Sequence, residues 1–367
     1  MSSCRVLIID DSAVSRRALS DILSTDPDID VVGTAPDAMI GLRKIEALSP
    51  DVLTLDVEMP GMDGLTFLER LMKSNPMPVV MVSAYTEAGS DAAIRSLELG
   101  AVDVVEKPRY EVREGLSNLS ELIIDKVKGA ALAQVASPFM RFFEHNTGES
   151  AVISVTQESL GHAPLAQLVA IGASTGGPQA IRQVLEVLPA SMPPVLVVQH
   201  ITPSFTESFA KSLDANCQLS VQVGRDGVCP EPGNVYIAPG DRHMLLTRSG
   251  TDYVLALADH ERVNRHRPSV DELIKSVAVH AAQSGTGILL TGMGVDGAIG
   301  LKMIRESGGQ TFVQDEASSV VFGMPRAAVE LDAADTVLGI DRIAEGLTRY
   351  VFRNSEADKR RRRGNSI

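Results

Sequence analysis

Leu168-Val-Ala-Ile-Gly-Ala-Ser-Thr-Gly-Gly-Pro-Gln-Ala180 decides the fold of the second half of this chain. Leu168 to Ile171 is a short, wholly apolar run, the pattern of a strand buried on both faces of a parallel sheet. Gly172-Ala-Ser-Thr-Gly-Gly177 follows, and Pro178 opens an amphipathic pattern carried by Ile181, Val184, Leu185 and Leu188. Proline suits the first helical position, so the stretch predicts strand, glycine turn and helix in succession. Ser174 then falls where the strand's carboxyl end meets the positive end of a helix, among small residues that allow close approach. The spacing is that of a nucleophile elbow, G-x-S-x-G. It lacks the lysine of a phosphate-binding loop and the spacing of a dinucleotide fingerprint. A plain serine cap in a tight turn is the competing reading.

Outward from that stretch, 367 residues give room for two ordinary domains, and 44% hydrophobic residues are those of a globular protein. A net charge of −13 argues against nucleic acid as a partner. No apolar run approaches the roughly 20 residues of a membrane span, so no membrane insertion is expected. Met1-Ser-Ser-Cys-Arg5 leads directly into a strand pattern rather than a signal peptide. The three cysteines, Cys4, Cys217 and Cys229, are odd in number and lack C-x-x-C spacing, which fits free thiols in a reducing, cytoplasmic compartment. Residues 353–367, with Lys359-Arg-Arg-Arg-Arg363, read as a solvated, disordered basic tail.

The N-terminal part repeats one unit five times. Apolar strands are predicted at 4–10, 29–35, 51–56, 78–84 and 103–106, separated by helical patterns, the first with Val14, Ala18, Leu19, Ile22 and Leu23 on one face. Such alternation predicts a doubly wound parallel sheet with its working site outside the strands' carboxyl ends. Those ends carry Asp10 and Asp11, Asp56, Ser83 and Lys107. One strand-end acid is ordinarily just exposed. Three at one edge repel one another unless a cation sits among them, and hard oxygen donors suit Mg²⁺. A lysine ammonium and a serine hydroxyl could then balance charge on an arriving phosphoryl group.

Residues 1–125 resemble the flavodoxin-like receiver domain of response regulators. The resemblance implies Asp56 as phosphoacceptor, with a histidine kinase as donor. It implies Mg²⁺ held by Asp10, Asp11, Asp56 and the backbone carbonyl of Glu58, and Ser83 with Lys107 as a switch pair. The chain departs from the commonest pattern at Val104, where many receivers carry an aromatic residue. From 126 to 164 periodicity fails, which reads as a linker whose first part extends the preceding helix. His145 and His162 fall there without an assigned role.

Residues 165–352 form the second domain. Pro194–Gln199 is another apolar strand, ending in His200. Residues 243–258 read as a hairpin about Ser249-Gly250, and Ser269-Val-Asp-Glu272 is a capping box opening a helix. Gly287–Leu290 is a strand running into Gly292-Met-Gly-Val-Asp-Gly297. Ser174, His200 and Asp296 thus each follow a parallel strand, and such a sheet gathers those ends along one edge. Imidazole can take a serine proton at neutral pH, and a carboxylate can hold the ring's tautomer. The order Ser…His…Asp is not that of an α/β-hydrolase.

The glycine loop, Gln199-His200, Ile237-Ala-Pro-Gly-Asp-Arg-His243, Asn264-Arg-His-Arg-Pro-Ser269, Leu290–Gly297 and Val321-Phe-Gly-Met-Pro325, behind a receiver, resemble the chemotaxis protein-glutamate methylesterase (CheB) family. The resemblance implies a doubly wound α/β catalytic domain with a mostly parallel sheet and a β-hairpin. It implies Ser174 as nucleophile, His200 as base, Asp296 as orienting acid, and Thr175 and Met293 flanking an oxyanion site. The substrates implied are glutamyl methyl esters, and glutamines, on the cytoplasmic domains of chemoreceptors, with no cofactor in the catalytic domain. Arg262, Arg265 and Arg267 either steer such a substrate or form a plain solvated loop. Three rivals differ in class: a DNA-binding output, a nucleotide-binding output, and a metal hydrolase built on His200, His243 and His266.

Overall fold

The structure is a computed structural model that describes residues 3–84, 86–108, 113–133 and 167–364. His145, His162 and most of the expected linker lie outside the described residues. The chain divides into two compact units, Met1–Ser150 and Ala151–Ile367.

The first unit alternates β1 (Cys4–Ile9), α1 (Ala13–Leu23), β2 (Ile29–Ala35), α2 (Ala38–Leu48), β3 (Val52–Asp56), α3 (Gly64–Ser74), β4 (Val79–Ser83), α4 (Glu87–Glu98), β5 (Asp103–Glu106) and α5 (Arg113–Ala131). All strand pairs are parallel, in the order β2-β1-β3-β4-β5. The chain reverses direction across the sheet between β1 and β3, and the carboxyl ends of those strands carry the acids. Val6–Ile9, Leu53, Leu55 and Val79–Val82 are buried, as strands covered on both faces must be. Val14, expected on the apolar face of α1, is instead 63% exposed. It lies in the first turn, one turn before Ala18 begins the buried stripe. α5 continues beyond residue 125: Val127 and Ala130 are fully buried, and Lys126 Nζ lies 2.7 Å from Asp103 in an ion pair with both side chains 3% exposed. The helix therefore belongs to this core up to Ala131.

The second unit comprises β6 (Leu168–Ala173), α6 (Gly177–Leu185), β7 (Val195–Gln199), α7 (Pro203–Asp214), β8 (Ser220–Val223), β9 (Asn234–Ile237), β10 (His243–Ser249), β11 (Asp252–Ala258), α8 (Val270–Ala281), β12 (Gly285–Leu289), α9 (Ala298–Glu306), β13 (Gln310–Gln314), α10 (Met324–Glu330), β14 (Thr336–Leu338) and α11 (Ile340–Gly364). Seven strands form a parallel sheet, β14-β13-β12-β6-β7-β9-β8, and β10-β11 is a separate antiparallel ribbon. β6 is central. The chain moves from β6 to β7 on one side and later returns to lay β12 on the other. This is the switch point, where a crevice opens at the strands' carboxyl ends. α11 runs through the basic segment to Gly364, so the main chain is helical where an irregular tail was expected. Its Lys, Arg, Ala and Glu are good helix formers with no breaker before that glycine.

α8 is set against β6 with almost no clearance. A Cβ added at Gly172 would stand 2.0 Å from Val270 Cγ1, at the first turn of α8. Gly172→Ala should therefore cost about 1–3 kcal/mol, as overpacking does, read as a lower urea midpoint with unchanged m value.

Candidate active site and phosphoryl site

Ser174 directly follows β6, and His200 directly follows its neighbour β7. Ala173 pairs with Gln199, and the His200 N–H donates to the Ala173 carbonyl at 3.2 Å. Gln199 ties the two together: its buried Nε2 donates to the carbonyls of Ser174 at 2.9 Å and His200 at 3.3 Å. Gly177 must be glycine for this, since a Cβ there would lie 2.0 Å from Gln199 Oε1. From the other side, the Ser174 N–H donates to the Thr291 carbonyl at 3.0 Å, and a Cβ at Gly292 would lie 2.8 Å from Ser174 Cβ. The turn after β12 therefore packs directly on the serine.

His200 Nε2 donates to Asp296 Oδ2 at 2.9 Å, with both side chains buried. In the neutral ring this leaves Nδ1 bare of its proton, and Nδ1 has no partner among the described residues although it is buried. Ser174 Oγ likewise makes no hydrogen bond among them. The structure thus joins the His–Asp pair and places Ser174 at the end of the adjoining strand, with no hydrogen bond between Ser174 Oγ and His200 Nδ1.

Asp296 is bound from five directions. Besides His200, it accepts from Ser269 Oγ at 2.8 Å, Asn264 Nδ2 at 2.8 Å, and the backbone N–H groups of Val270 at 2.7 Å and Asp271 at 3.2 Å. The last two are the positive end of α8. Burial alone would raise the Asp296 carboxyl, but the His200 hydrogen bond and charge, with Asn264 and His266, hold it well below the usual carboxylate range. The ring of His266 stacks on His200, centroids 3.6 Å apart at 15°.

The main-chain N–H groups of Thr175 and Met293 have no acceptor among the described residues. Thr175 is buried, its carbonyl taking a hydrogen bond from Thr291 Oγ1 at 2.9 Å, and Met293 is half-buried in the turn behind Gly292. Backbone N–H groups left without an acceptor near a strand-end serine are the kind of donor that can stabilise an oxyanion.

His243, a member of the rival metal set, is engaged by the backbone at both nitrogens: Nδ1 accepts from the Ser269 N–H at 3.2 Å, and Nε2 donates to the Glu261 carbonyl at 3.1 Å. His200 and His266 meet face to face rather than edge to edge. That geometry does not converge three lone pairs on a metal.

In the first unit, Asp10, Asp11 and Asp56 offer oxygens all within 4.8 Å of one another. Lys107 Nζ lies 2.6 Å from Asp56 Oδ2 and 3.2 Å from Asp10 Oδ2. The Glu58 N–H donates to Asp56 Oδ1 at 3.1 Å, and the Ser12 N–H to Asp10 Oδ1 at 2.8 Å. Ser83 Oγ points away, donating to the Gly89 carbonyl at 2.9 Å. Burial pushes Asp56 up to about 6 against the opposing pull of Lys107, and raises Asp10 as well. Lys107 would be lowered by burial but is raised on balance by its acidic partners. Excess acid in a sheltered, oxygen-lined site fits a hard divalent cation.

Of the three residues expected from sequence, the structure bonds His200 to Asp296; the contacts of Gln199, Asn264, His266 and Thr291 were not read from sequence. Ser269 was legible only as a helix cap, and its hydroxyl does double duty by also receiving the Glu272 N–H at 3.4 Å.

Two family models match: Response regulator receiver domain over residues 6–115 and CheB methylesterase over 169–347. Together they define a response regulator with a methylesterase output. The protein-glutamate methylesterase/protein-glutamine glutaminase of Paraburkholderia xenovorans is 47% identical over 94% of this chain and 95% of its own length. That of Bordetella parapertussis is 49% identical over 94% and 96%. The catalytic domain of Thermotoga maritima CheB methylesterase, a crystal structure, is 38% identical with a TM-score of 0.50, covering 50% of this chain and 98% of that one. The chain belongs to the protein-glutamate methylesterase/protein-glutamine glutaminase family.

Without divalent cation, the Asp56 carboxyl should titrate near pH 6, read by carboxyl ¹³C shift. A folded pKa raised above the ordinary 3.8 gives stability that is present below about pH 4 and lost as pH rises through 6. Mg²⁺ should shift the titration down and restore stability at neutral pH.

Proposed function

We propose that this protein hydrolyses glutamyl methyl esters on chemoreceptor cytoplasmic domains to glutamate and methanol, and deamidates receptor glutamines, within the adaptation branch of chemotaxis. The relatives' shared name supports the reaction class. The observation that carries the mechanism is the His200–Asp296 hydrogen bond through Nε2, which leaves Nδ1 as the buried, unpartnered acceptor.

In the proposed cycle, Ser174 Oγ attacks the ester carbonyl while its proton passes to His200 Nδ1. Asp296 holds the resulting imidazolium. The tetrahedral oxyanion is received by the N–H groups of Thr175 and Met293. Its collapse breaks the ester C–O bond, and the departing methoxide takes the proton from Nδ1 to leave as methanol. A water then attacks the acyl carbon and gives a proton to Nδ1; the bond between that carbon and Ser174 Oγ breaks, Oγ takes the proton back from Nδ1, and glutamate leaves with Ser174 restored. Glutamine follows the same course with ammonia leaving, more slowly because the amine is the poorer leaving group.

Control is assigned to the receiver. A histidine kinase would supply phosphate to Asp56. Mg²⁺, held by Asp10, Asp11, Asp56 and the Glu58 carbonyl, would neutralise charge there. Lys107 and a reoriented Ser83 would bind the phosphoryl oxygens. No helix among the described residues is long and apolar enough to cross a membrane.

Ser174→Ala should lower kcat for methanol release from methylated receptor membranes by about 10⁴-fold or more with unchanged folding. Activity within about tenfold of wild type would sink the assignment. A small-molecule phosphodonor should activate the wild type by roughly 5–150-fold, the range of ordinary allosteric coupling, and Asp56→Asn should stay at the basal rate.

A further inference from the structure

The start of α8 is closed by a residue from far away. Ser269-Val-Asp-Glu272 is a capping box, in which the carboxylate of the fourth residue ordinarily reaches back to the N–H of the first. Only half of it forms here. Ser269 Oγ receives the Glu272 N–H at 3.4 Å, but the Glu272 carboxylate turns to His260, with Oε2 3.2 Å from Nε2. The Ser269 N–H goes instead to His243 Nδ1 at 3.2 Å, on a ring from the first residue of β10, 26 positions earlier.

Those partners settle the state of the ring. A backbone N–H can only donate, so Nδ1 is a lone pair, and Nε2 carries the proton given to the Glu261 carbonyl at 3.1 Å. His243 is fully buried, and His260 stacks on it with centroids 4.3 Å apart at 13°. Burial holds its pKa below the usual imidazole value; His260 and Arg267 lower it further, against the Glu261 bond and Glu272. The neutral form is therefore favoured. Protonation would set an Nδ1–H against the Ser269 N–H, two donors with no acceptor between them.

The exchange of a carboxylate for an imidazole matters to Asp296. Ser269 Oγ and the N–H groups of Val270 and Asp271 supply three of its five hydrogen bonds. A Glu272 carboxylate on the Ser269 N–H would bring a second negative charge to the same helix start and compete for its positive end. A neutral acceptor fixes that start and leaves the positive end to Asp296.

We infer that His243 is a positioning residue for the reaction: its neutral ring, standing where the Glu272 carboxylate would, sets the start of α8 so that Asp296 holds His200. The inference rests on the proposed esterase reading and adds to it a second imidazole that must stay neutral.

The test uses the full chain, with methylated receptor membranes as substrate and the His200 Nε2–H proton resonance as a second readout. Asn puts an amide oxygen where Nδ1 stands, whereas Gln carries its amide to the position of Nε2. His243→Gln should lower kcat about tenfold to hundredfold, the cost of a small misplacement, with KM within about twofold. It should also move or broaden the His200 resonance. His243→Asn should recover most of kcat and the wild-type resonance. As pH falls, log kcat of the wild type should steepen to a limiting slope of two, because His200 and His243 must both be neutral, and that of His243→Asn should stay at one. Equal kcat in the two variants, or a lowered melting temperature with an unmoved resonance, would make His243 an anchor of the β10–β11 ribbon and overturn the inference. A limiting slope of one in the wild type would do the same, and it decides the matter if His243→Gln does not fold. No methanol from the wild type would bring down the esterase reading; the resonance in the two variants would then uphold or overturn the hold of His243 on Asp296 by itself.

Discussion

The Asp296 carboxylate, 1% exposed, is the constraint around which the second unit is arranged. An ionised acid stripped of water costs several kcal/mol unless its lone pairs are filled. Here they are filled by a helix terminus, a cap hydroxyl, an amide and an imidazole, drawn from two separated parts of the chain, His200 and the segment from Asn264 to Asp271. None of those groups would find its place without the others. α8 can deliver its N–H groups only because Gly172 lets Val270 press against β6, and the amide arrives only because a tight turn aims Asn264 inward.

The two sites share a sheet plan and differ in electrostatics. Each lies where its strand order reverses, between β1 and β3 in one unit and between β6 and β12 in the other. Asp56 and Asp296 are equally hidden, yet burial wins at Asp56 and raises it, whereas donors win at Asp296 and lower it. Donors and neighbouring charge decide the difference: Asp10 stands beside Asp56, whereas His200 and His266 stand beside Asp296. Asp56 has one backbone N–H and a lysine shared with Asp10, and is left with capacity to take a cation or a phosphoryl group. Asp296 has no capacity left, which suits a group that must hold a ring still and never change partners.

Much of this was legible in the chain. The apolar runs marked the strands, and the acids, Ser174, His200 and Asp296 all stood at their carboxyl ends, where a parallel sheet concentrates function. The capping box at Ser269 marked the start of α8 correctly. What the sequence hid were contacts that depend on how segments meet. Nothing in the periodicity of Ser269 says that its hydroxyl faces an acid 27 positions later. The stacking of His266 on His200 and the clip made by Gln199 depend on side-chain direction, which spacing does not encode. The extension of α5 past residue 125 was legible as a continued helix; what the sequence hid is that Val127 and Ala130 are buried in the first unit's core.

The Gln199 clip bears on how the enzyme would fail with heat. Ser174 and His200 hang from adjacent, hydrogen-bonded strands, with a side chain bridging their carbonyls. They share one rigid support. Asp296 hangs from a turn and a helix end, elements of the kind that open before a central sheet does. On heating, a loosening between His200 and Asp296 is then the expected first event, with Ser174 and His200 still on one support. Such a protein would lose turnover while its sheet, and the shape of its crevice, remained intact.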